Sequence, residues 1–120
     1  MNAVKNQERP VVGVVEWVKV KGEKGAKKVK AKVDTGAART SIDSRLSALV
    51  GLEPLADSVQ VRSAVTPTPT SRPIMRAEII IQQQRFTLRV SVENRSKMKY
   101  PVLIGRDLLQ ESNFIIDPII

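Results

Sequence analysis

Residues 85–92 alternate without a break: Phe86, Leu88, Val90 and Val92 are apolar, and Arg85, Thr87, Arg89 and Ser91 are polar. A period of two places all four apolar side chains on one face of an extended strand. The stretch from Lys28 to Val33 repeats the pattern, with Lys28, Lys30 and Lys32 set against Val29, Ala31 and Val33. Half-buried strands of this kind belong to a sheet with one face on a core and the other in water. Aromatic residues are only 3% of the 120, so the core has to be built from Val, Ile, Leu and Ala. Richness in Val and Ile again favours strands over helices.

The rest of the chain supplies more strands and the turns between them. Residues 1–10 read as a polar tail ending at Pro10, and 11–120 as a single domain. Strands are expected over 11–20, 28–33, 58–65, 74–81, 85–92, 100–104 and 114–116. Gly22 and Gly25 mark a hairpin turn between the first two, and Gln82–Gln84 marks another. A short helix is expected over 43–50, capped by Ser41 or Asp43, with Leu46, Leu49 and Val50 on its inner face and Gly51 at its end. Residues 106–111 can form a helical turn or two. Pro67 and Pro69 lack the N–H that a sheet interior needs, so Thr66–Thr70 reads as an exposed loop or hairpin tip. The sum is a mostly β chain with one or two short helices, a small barrel or sandwich.

Composition removes most catalytic chemistries. The chain has no Cys and no His. Thiol nucleophiles, Ser-His-Asp triads and zinc sites built on those residues are therefore excluded. There is no EF-hand spacing, no phosphate-cradling glycine loop and no apolar run long enough for a membrane helix. No cofactor or metal and no membrane is expected, and the cytoplasm is the expected compartment. The net charge is +8. Lys19, Lys21, Lys24, Lys27, Lys28, Lys30 and Lys32 crowd one segment with only Glu23 among them, and Arg95, Lys97 and Lys99 form a second basic run. Such a balance suits an anionic partner, or else a solvated edge whose lysines discourage strand-to-strand pairing.

One segment offers chemistry of its own. The alternating strand 28–33 runs into Asp34-Thr35-Gly36-Ala37. Hydrolysis of a peptide without metal, Cys or Ser-His needs one carboxylate to activate water and one carboxylic acid to polarise the carbonyl. Two carboxyl groups about 3 Å apart do both, because they cannot both ionise. Asp34 supplies one; Thr35 can brace the loop, and Gly36 lets backbone amides approach the carboxylate. Asp43, Asp57, Asp107 and Asp117 all lack a following Thr/Ser-Gly. A twofold homodimer would bring Asp34 of each chain to the axis.

About 70 residues later comes an apolar stretch, Val102-Leu103-Ile104, followed by Gly105-Arg106-Asp107-Leu108-Leu109. With Ala31–Ala37, Arg39-Thr40-Ser41, Val61-Arg62-Ser63, Met98–Val102 and Ile116-Asp117-Pro118, these motifs make the chain resemble a retropepsin-type aspartic peptidase. It is most similar to the glutamate-ligase-associated family labelled ATP-dependent zinc protease, over roughly residues 11–118. The absence of His, Cys and a Walker loop leaves "ATP-dependent" and "zinc" in that label without residues to support them.

The resemblance implies a small closed β-barrel working as a homodimer. Asp34, Thr35 and Gly36 would be catalytic, and Gly105, Arg106 and Asp107 would support the loop from beneath. Thr66–Thr70 falls where such enzymes carry a flap. Viral members usually have acidic residues after Asp-Thr-Gly-Ala, whereas here Ala38-Arg39 follows. With some relatives trimming poly-glutamate, this implies a glutamate-rich peptide substrate, with Ala37, Arg39, Arg62 and Lys99 as candidate substrate-binding residues. The competing expectation is a non-catalytic basic β-domain that binds nucleic acid or an acidic protein. The aromatics Trp17, Phe86, Tyr100 and Phe114 do not alternate with basic residues along the chain, so nucleic acid is the less favoured partner.

Overall fold

The computed structural model describes residues 9–61 and 70–120. Its strands and helices are β1 (Val11–Val12), β2 (Val15–Gly22), β3 (Gly25–Val33), β4 (Ser41–Asp43), α1 (Ser44–Val50), β5 (Glu53–Val61), β6 (Thr70–Ile81), β7 (Gln84–Glu93), β8 (Val102–Ile104), α2 (Arg106–Leu109) and β9 (Ile115–Ile116). Six strands close on themselves in the order β2-β3-β8-β4-β7-β6, with β6 returning to β2. The closure comes from the length of β6. One edge of it pairs with β5 over residues 70–76 and with β2 over residues 78–80. A single strand thus both seals the barrel and carries a hairpin that extends beyond it.

The period-two reading holds for the barrel wall. Phe86, Leu88, Val90 and Val92 of β7 are buried, as are Ala31 and Val33 of β3. All of these but Val92 meet Val18, Val20, Ile42, Ile79, Val102, Ile104 and Leu108 in a core of branched aliphatics. The only buried aromatic pair among the described residues is Phe86 against Phe114, edge to face at 5.9 Å. Ser91, expected to point outward, is buried because β4 lies beside it in parallel register and its N–H reaches the Thr40 carbonyl at 3.1 Å.

Several boundaries move. The expected strand 11–20 breaks at Gly13-Val14: β1 leaves to pair in parallel with β9, and β2 enters the barrel. A Cβ on Gly13 would sit 2.3 Å from the Ile120 carbonyl oxygen, so this crossing needs glycine. Arg9 and Pro10, assigned to the tail, are held against residues 113–115 by Arg9 donating to the Asn113 and Phe114 carbonyls and by Ile115 N–H donating to Pro10. β4 has no counterpart in the sequence reading, since three residues carry no readable periodicity. The fifth strand begins at Glu53 rather than at 58. The turn is made by Gln82 and Gln83, both at positive φ, while Gln84 already pairs with Ile81. Positive φ at both central positions matches the right-handed twist of a hairpin.

Asp43, not Ser41, caps α1, and Gly51 ends it at φ 71°. Leu46 and Val50 are buried but Leu49 is 60% exposed, because a seven-residue helix offers the core only one narrow stripe and Ser47 takes the adjoining position. No helix among the described residues is long and apolar enough to cross a membrane.

Candidate active site

The register of two parallel strands places the Asp34 loop. Ala31, Lys32 and Val33 of β3 lie beside Val102, Leu103 and Ile104 of β8. Both strands therefore end at one level, and the segments that follow, 34–39 and 105–107, emerge side by side. The Asp34 N–H completes the ladder by donating to the Ile104 carbonyl at 2.9 Å. The half-buried Asp34 carboxylate then turns back on its own loop, accepting the Gly36 N–H at Oδ1 (2.8 Å), and Ala37 N–H donates to the Asp34 carbonyl. A Cβ on Gly36 would stand 3.1 Å from that oxygen, which is tight.

The Gly105-Arg106-Asp107 segment bonds to this loop through its backbone and through Arg106. Arg106 N–H donates to the Ala37 carbonyl at 2.8 Å and Asp107 N–H to that of Ala38 at 3.2 Å. The Arg106 guanidinium reaches across the fold to the Thr35 carbonyl at 2.9 Å. A Cβ at Gly105 would lie 2.7 Å from the Arg39 carbonyl carbon and 3.0 Å from the Ala37 oxygen, so no other residue fits without moving backbone. Asp107 gathers the Thr40 N–H at both carboxylate oxygens, the Thr40 hydroxyl at 2.7 Å and the Leu108 N–H at 2.8 Å. The Thr40 hydroxyl in turn accepts the Gly105 N–H at 3.1 Å.

Thr40 enters the sequence reading only within the Arg39-Thr40-Ser41 motif and without a role of its own, although it lies only three positions beyond Ala37. It is wholly buried, and a buried hydroxyl must have partners. Here those partners join the two halves of the site.

Of the four candidate substrate-binding residues, Ala37 sits in the Asp34 loop, while Arg39 and Lys99 line different depressions. Arg39 is exposed, donates to the Arg89 carbonyl at 3.2 Å, and lines a depression with Arg89, Asp107 and Glu111. Lys99 lies over the Tyr100 ring at 5.7 Å and lines a different groove, with Lys32, Met98 and Leu103. Arg62 and residues 66–69, where a flap was expected, lie outside the described residues.

The second basic run is not one surface either. Arg95 is buried, bonding the Tyr100 carbonyl and approaching Glu93 Oε2 at 3.4 Å, while its backbone N–H donates to Asp43 Oδ1 at 2.8 Å. Glu93 also accepts the Ser41 hydroxyl at 2.6 Å. This network ties the loop after β7 to the start of α1.

Burial of the Asp43 carboxyl works to raise its pKa, but amide bonds from Arg95 and Arg45, the Arg45 charge and the Leu46 amide outweigh it and hold the group below 3.8. The unfolded chain therefore binds the proton more readily than the native one. This contribution to stability is complete above 3.8 and disappears as pH falls through the lower native value. Asp43→Asn is expected to lower stability at neutral pH by about 1–2 kcal/mol. The gap from wild type should shrink in acid, and urea midpoints of both proteins across an acid pH series would measure it. A gap independent of pH would mean that the carboxylate charge contributes nothing.

The model of one protein family, RimB-like (retropepsin-like aspartic endopeptidase RimB), matches residues 39–119. That span takes in the Gly105–Asp107 clamp and begins just after the Asp34 loop. No curated protein sequence matches the chain. Among solved structures, a Legionella pneumophila protein of unknown function (DUF785) superposes with a TM-score of 0.66 at 22% identity, covering 94% of this chain and 96% of its own. The EIAV protease in complex with the inhibitor HBY-793 gives 0.56 at 14% identity, covering 87% of this chain and 88% of its own. The simian foamy virus protease gives 0.54 at 16%, covering 78% and 88%. At these identities the likeness is one of fold: a mostly β, closed six-stranded barrel with two short helices, of the retropepsin type.

Proposed function

Because the chain belongs to the RimB-like family of retropepsin-like aspartic endopeptidases, we propose that it acts as a homodimer whose catalytic pair is Asp34 from each protomer. The observation that carries this is the loop itself: a carboxylate pinned by the Gly36 amide where β3 and β8 end, on a platform clamped from below. The neighbouring carboxylate of the same chain, Asp107, is occupied by donors from Thr40 and Leu108. A second copy is the source of the missing acid. Val11, Ile115, Ile119 and Ile120 are large apolar residues left exposed on β1, β9 and the C-terminus. Val14 links this region to the strand that bears Asp34, its N–H donating to Ile120 and its carbonyl accepting from Val33. Exposed apolar side chains of this kind suit a partner subunit.

In the dimer one Asp34 is ionised and the other protonated. The ionised carboxylate takes a proton from water as the water oxygen bonds to the scissile carbonyl carbon. The protonated carboxyl gives its proton to the carbonyl oxygen. Collapse of the resulting diol breaks the C–N bond: the carboxyl that took its proton from water gives it to the leaving nitrogen, and one diol hydroxyl returns a proton to the other carboxylate as the carbonyl re-forms. No cofactor enters.

Glutamate-rich peptides are the proposed substrates, with the cytoplasm as compartment. The chain carries +8, and Arg39 stands exposed just beyond the loop, able to take a carboxylate bidentately. Arg62 and Lys99 remain candidates from the sequence. Purified protein is expected to cut poly-α-glutamate, spare poly-α-lysine, and do so equally with a metal chelator present. Cleavage of neutral peptides but not poly-glutamate would remove the substrate class, and chelator-sensitive cleavage would reopen the metal question.

A further inference from the structure

The outward face of the β2–β3 hairpin has a composition that the barrel does not require. Trp17, Lys19 and Lys21 project from β2, while Val18 and Val20 are buried on the other face. Lys28, Lys30 and Lys32 project from β3, opposite to the buried Ala31 and Val33. The register sets Trp17 opposite Lys30 and Lys19 opposite Lys28. The Nζ atoms of Lys28 and Lys30 each lie 5.3 Å from the centre of the Trp17 ring. The indole is nevertheless 54% exposed and borders an open depression shared with Lys19, Lys28, Ile80, Gln82, Gln83 and Glu16, whose carboxylate accepts the Gly13 N–H. Among the described residues none of these lysines has a carboxylate within ion-pair distance.

Like charges directly opposite each other weaken a sheet, so this face lowers stability where it stands. Protection of a bare strand edge explains part of it, since β8 pairs only with residues 31–33 of β3 and leaves the edge at Lys28 and Lys30 open. It does not explain Lys32, which is paired on both sides, nor Lys19 and Lys21, flanked by β3 and β6. It does not explain an exposed tryptophan at all.

We propose that this face binds single-stranded nucleic acid, with a base stacked on Trp17 and backbone phosphates on Lys28, Lys30 and the flanking lysines. A polyanion answers the uncompensated ammonium groups, and the indole decides which polyanion. A carboxylate chain has no use for a flat aromatic surface, whereas every base has a π-face to lay on it. The two ammonium groups fix the ring by cation–π attraction, so little side-chain freedom is lost on stacking. The sequence reading found no interleaving of aromatic and basic residues because Trp17 lies eleven and thirteen positions from Lys28 and Lys30. Cross-strand pairing creates the interleaving.

Trp17 is the only tryptophan, so its fluorescence reports this site alone. Titration of the full chain at low salt with single-stranded oligo-U or oligo-dT is expected to quench it saturably. The affinity should fall with salt, and each of Lys28→Ala and Lys30→Ala should flatten the log–log salt dependence by about 0.7. Trp17→Ala, followed by anisotropy of a labelled oligonucleotide, should bind about 5- to 150-fold more weakly. Because Trp17 is a surface residue the variant should keep its melting temperature, and the lysine variants test the same face independently. Three results would overturn the proposal: no binding of either oligonucleotide at low salt, unchanged affinity in Trp17→Ala, or tighter quenching by poly-α-glutamate of matched charge.

Discussion

Asp34→Asn is expected to reduce peptide hydrolysis by about 10²–10⁴-fold or more, the range over which loss of a general acid–base acts. The fold and the proposed dimer should survive. Asparagine has the shape of aspartate, and its amide oxygen can still accept the Gly36 N–H that the carboxylate accepts at 2.8 Å. The loop would remain on its platform because the clamp acts mainly through backbone groups of Ala37, Ala38 and Thr35. On the proposed mechanism, what is lost is the ability to take a proton from water and to hand one to the carbonyl. The measurement is kcat on a glutamate-rich peptide, beside sedimentation and circular dichroism to confirm an intact dimer. A tethered dimer that carries Asp34→Asn in one half only sharpens the test. It should be as inactive as the dimer substituted in both halves, because in the proposed pair neither carboxylate works alone. Full activity in either protein would refute the shared pair.

The second large effect is on stability. Asp107→Ala removes the acceptor for the Thr40 N–H, the Thr40 hydroxyl and the Leu108 N–H. Thr40 has 0% exposure, so water cannot replace the lost partner for its two donors. Each buried donor left unpaired costs about 1–3 kcal/mol, and because the groups relax together about 3 kcal/mol in all is expected. Activity should fall with it, since the segment that carries Asp107 also holds the Ala37, Ala38 and Thr35 carbonyls. Thr40→Val tests the other side of the same contact. It keeps the volume but leaves the Gly105 N–H without its acceptor, and about 1–2 kcal/mol is expected. Urea denaturation of both variants, with kcat under native conditions, would measure the effects. Wild-type stability in Asp107→Ala would show that the cluster is peripheral.

Where the chain repeats a local pattern, its structure was legible in advance. Phe86, Leu88, Val90 and Val92 faced the core as their spacing requires, and the Asp43–Gly51 frame bounded a helix through the cap at one end and the left-handed residue at the other. The hydrogen bonds from Arg106 and Asp107 to the loop that carries Asp34 join segments far apart along the chain, and no periodicity points to them. The missed features are short or non-local. β4 is three residues long, Thr40 depends on a partner far along the chain, and Arg95 reads as surface charge until Glu93 and the Tyr100 carbonyl are placed around it.

By itself the sequence determined the β class, the aliphatic core, the single Asp-Thr-Gly and the absence of His and Cys, because these are properties of residues and of their nearest neighbours. Tertiary structure decided which strands lie side by side. The parallel register of β3 with β8 brought the Asp34 loop onto its clamp, and the antiparallel register of β2 with β3 set Trp17 among lysines. Pairing partners are chosen by burial of the whole barrel interior, a sum over contacts distant along the chain, and no local window of sequence contains that sum.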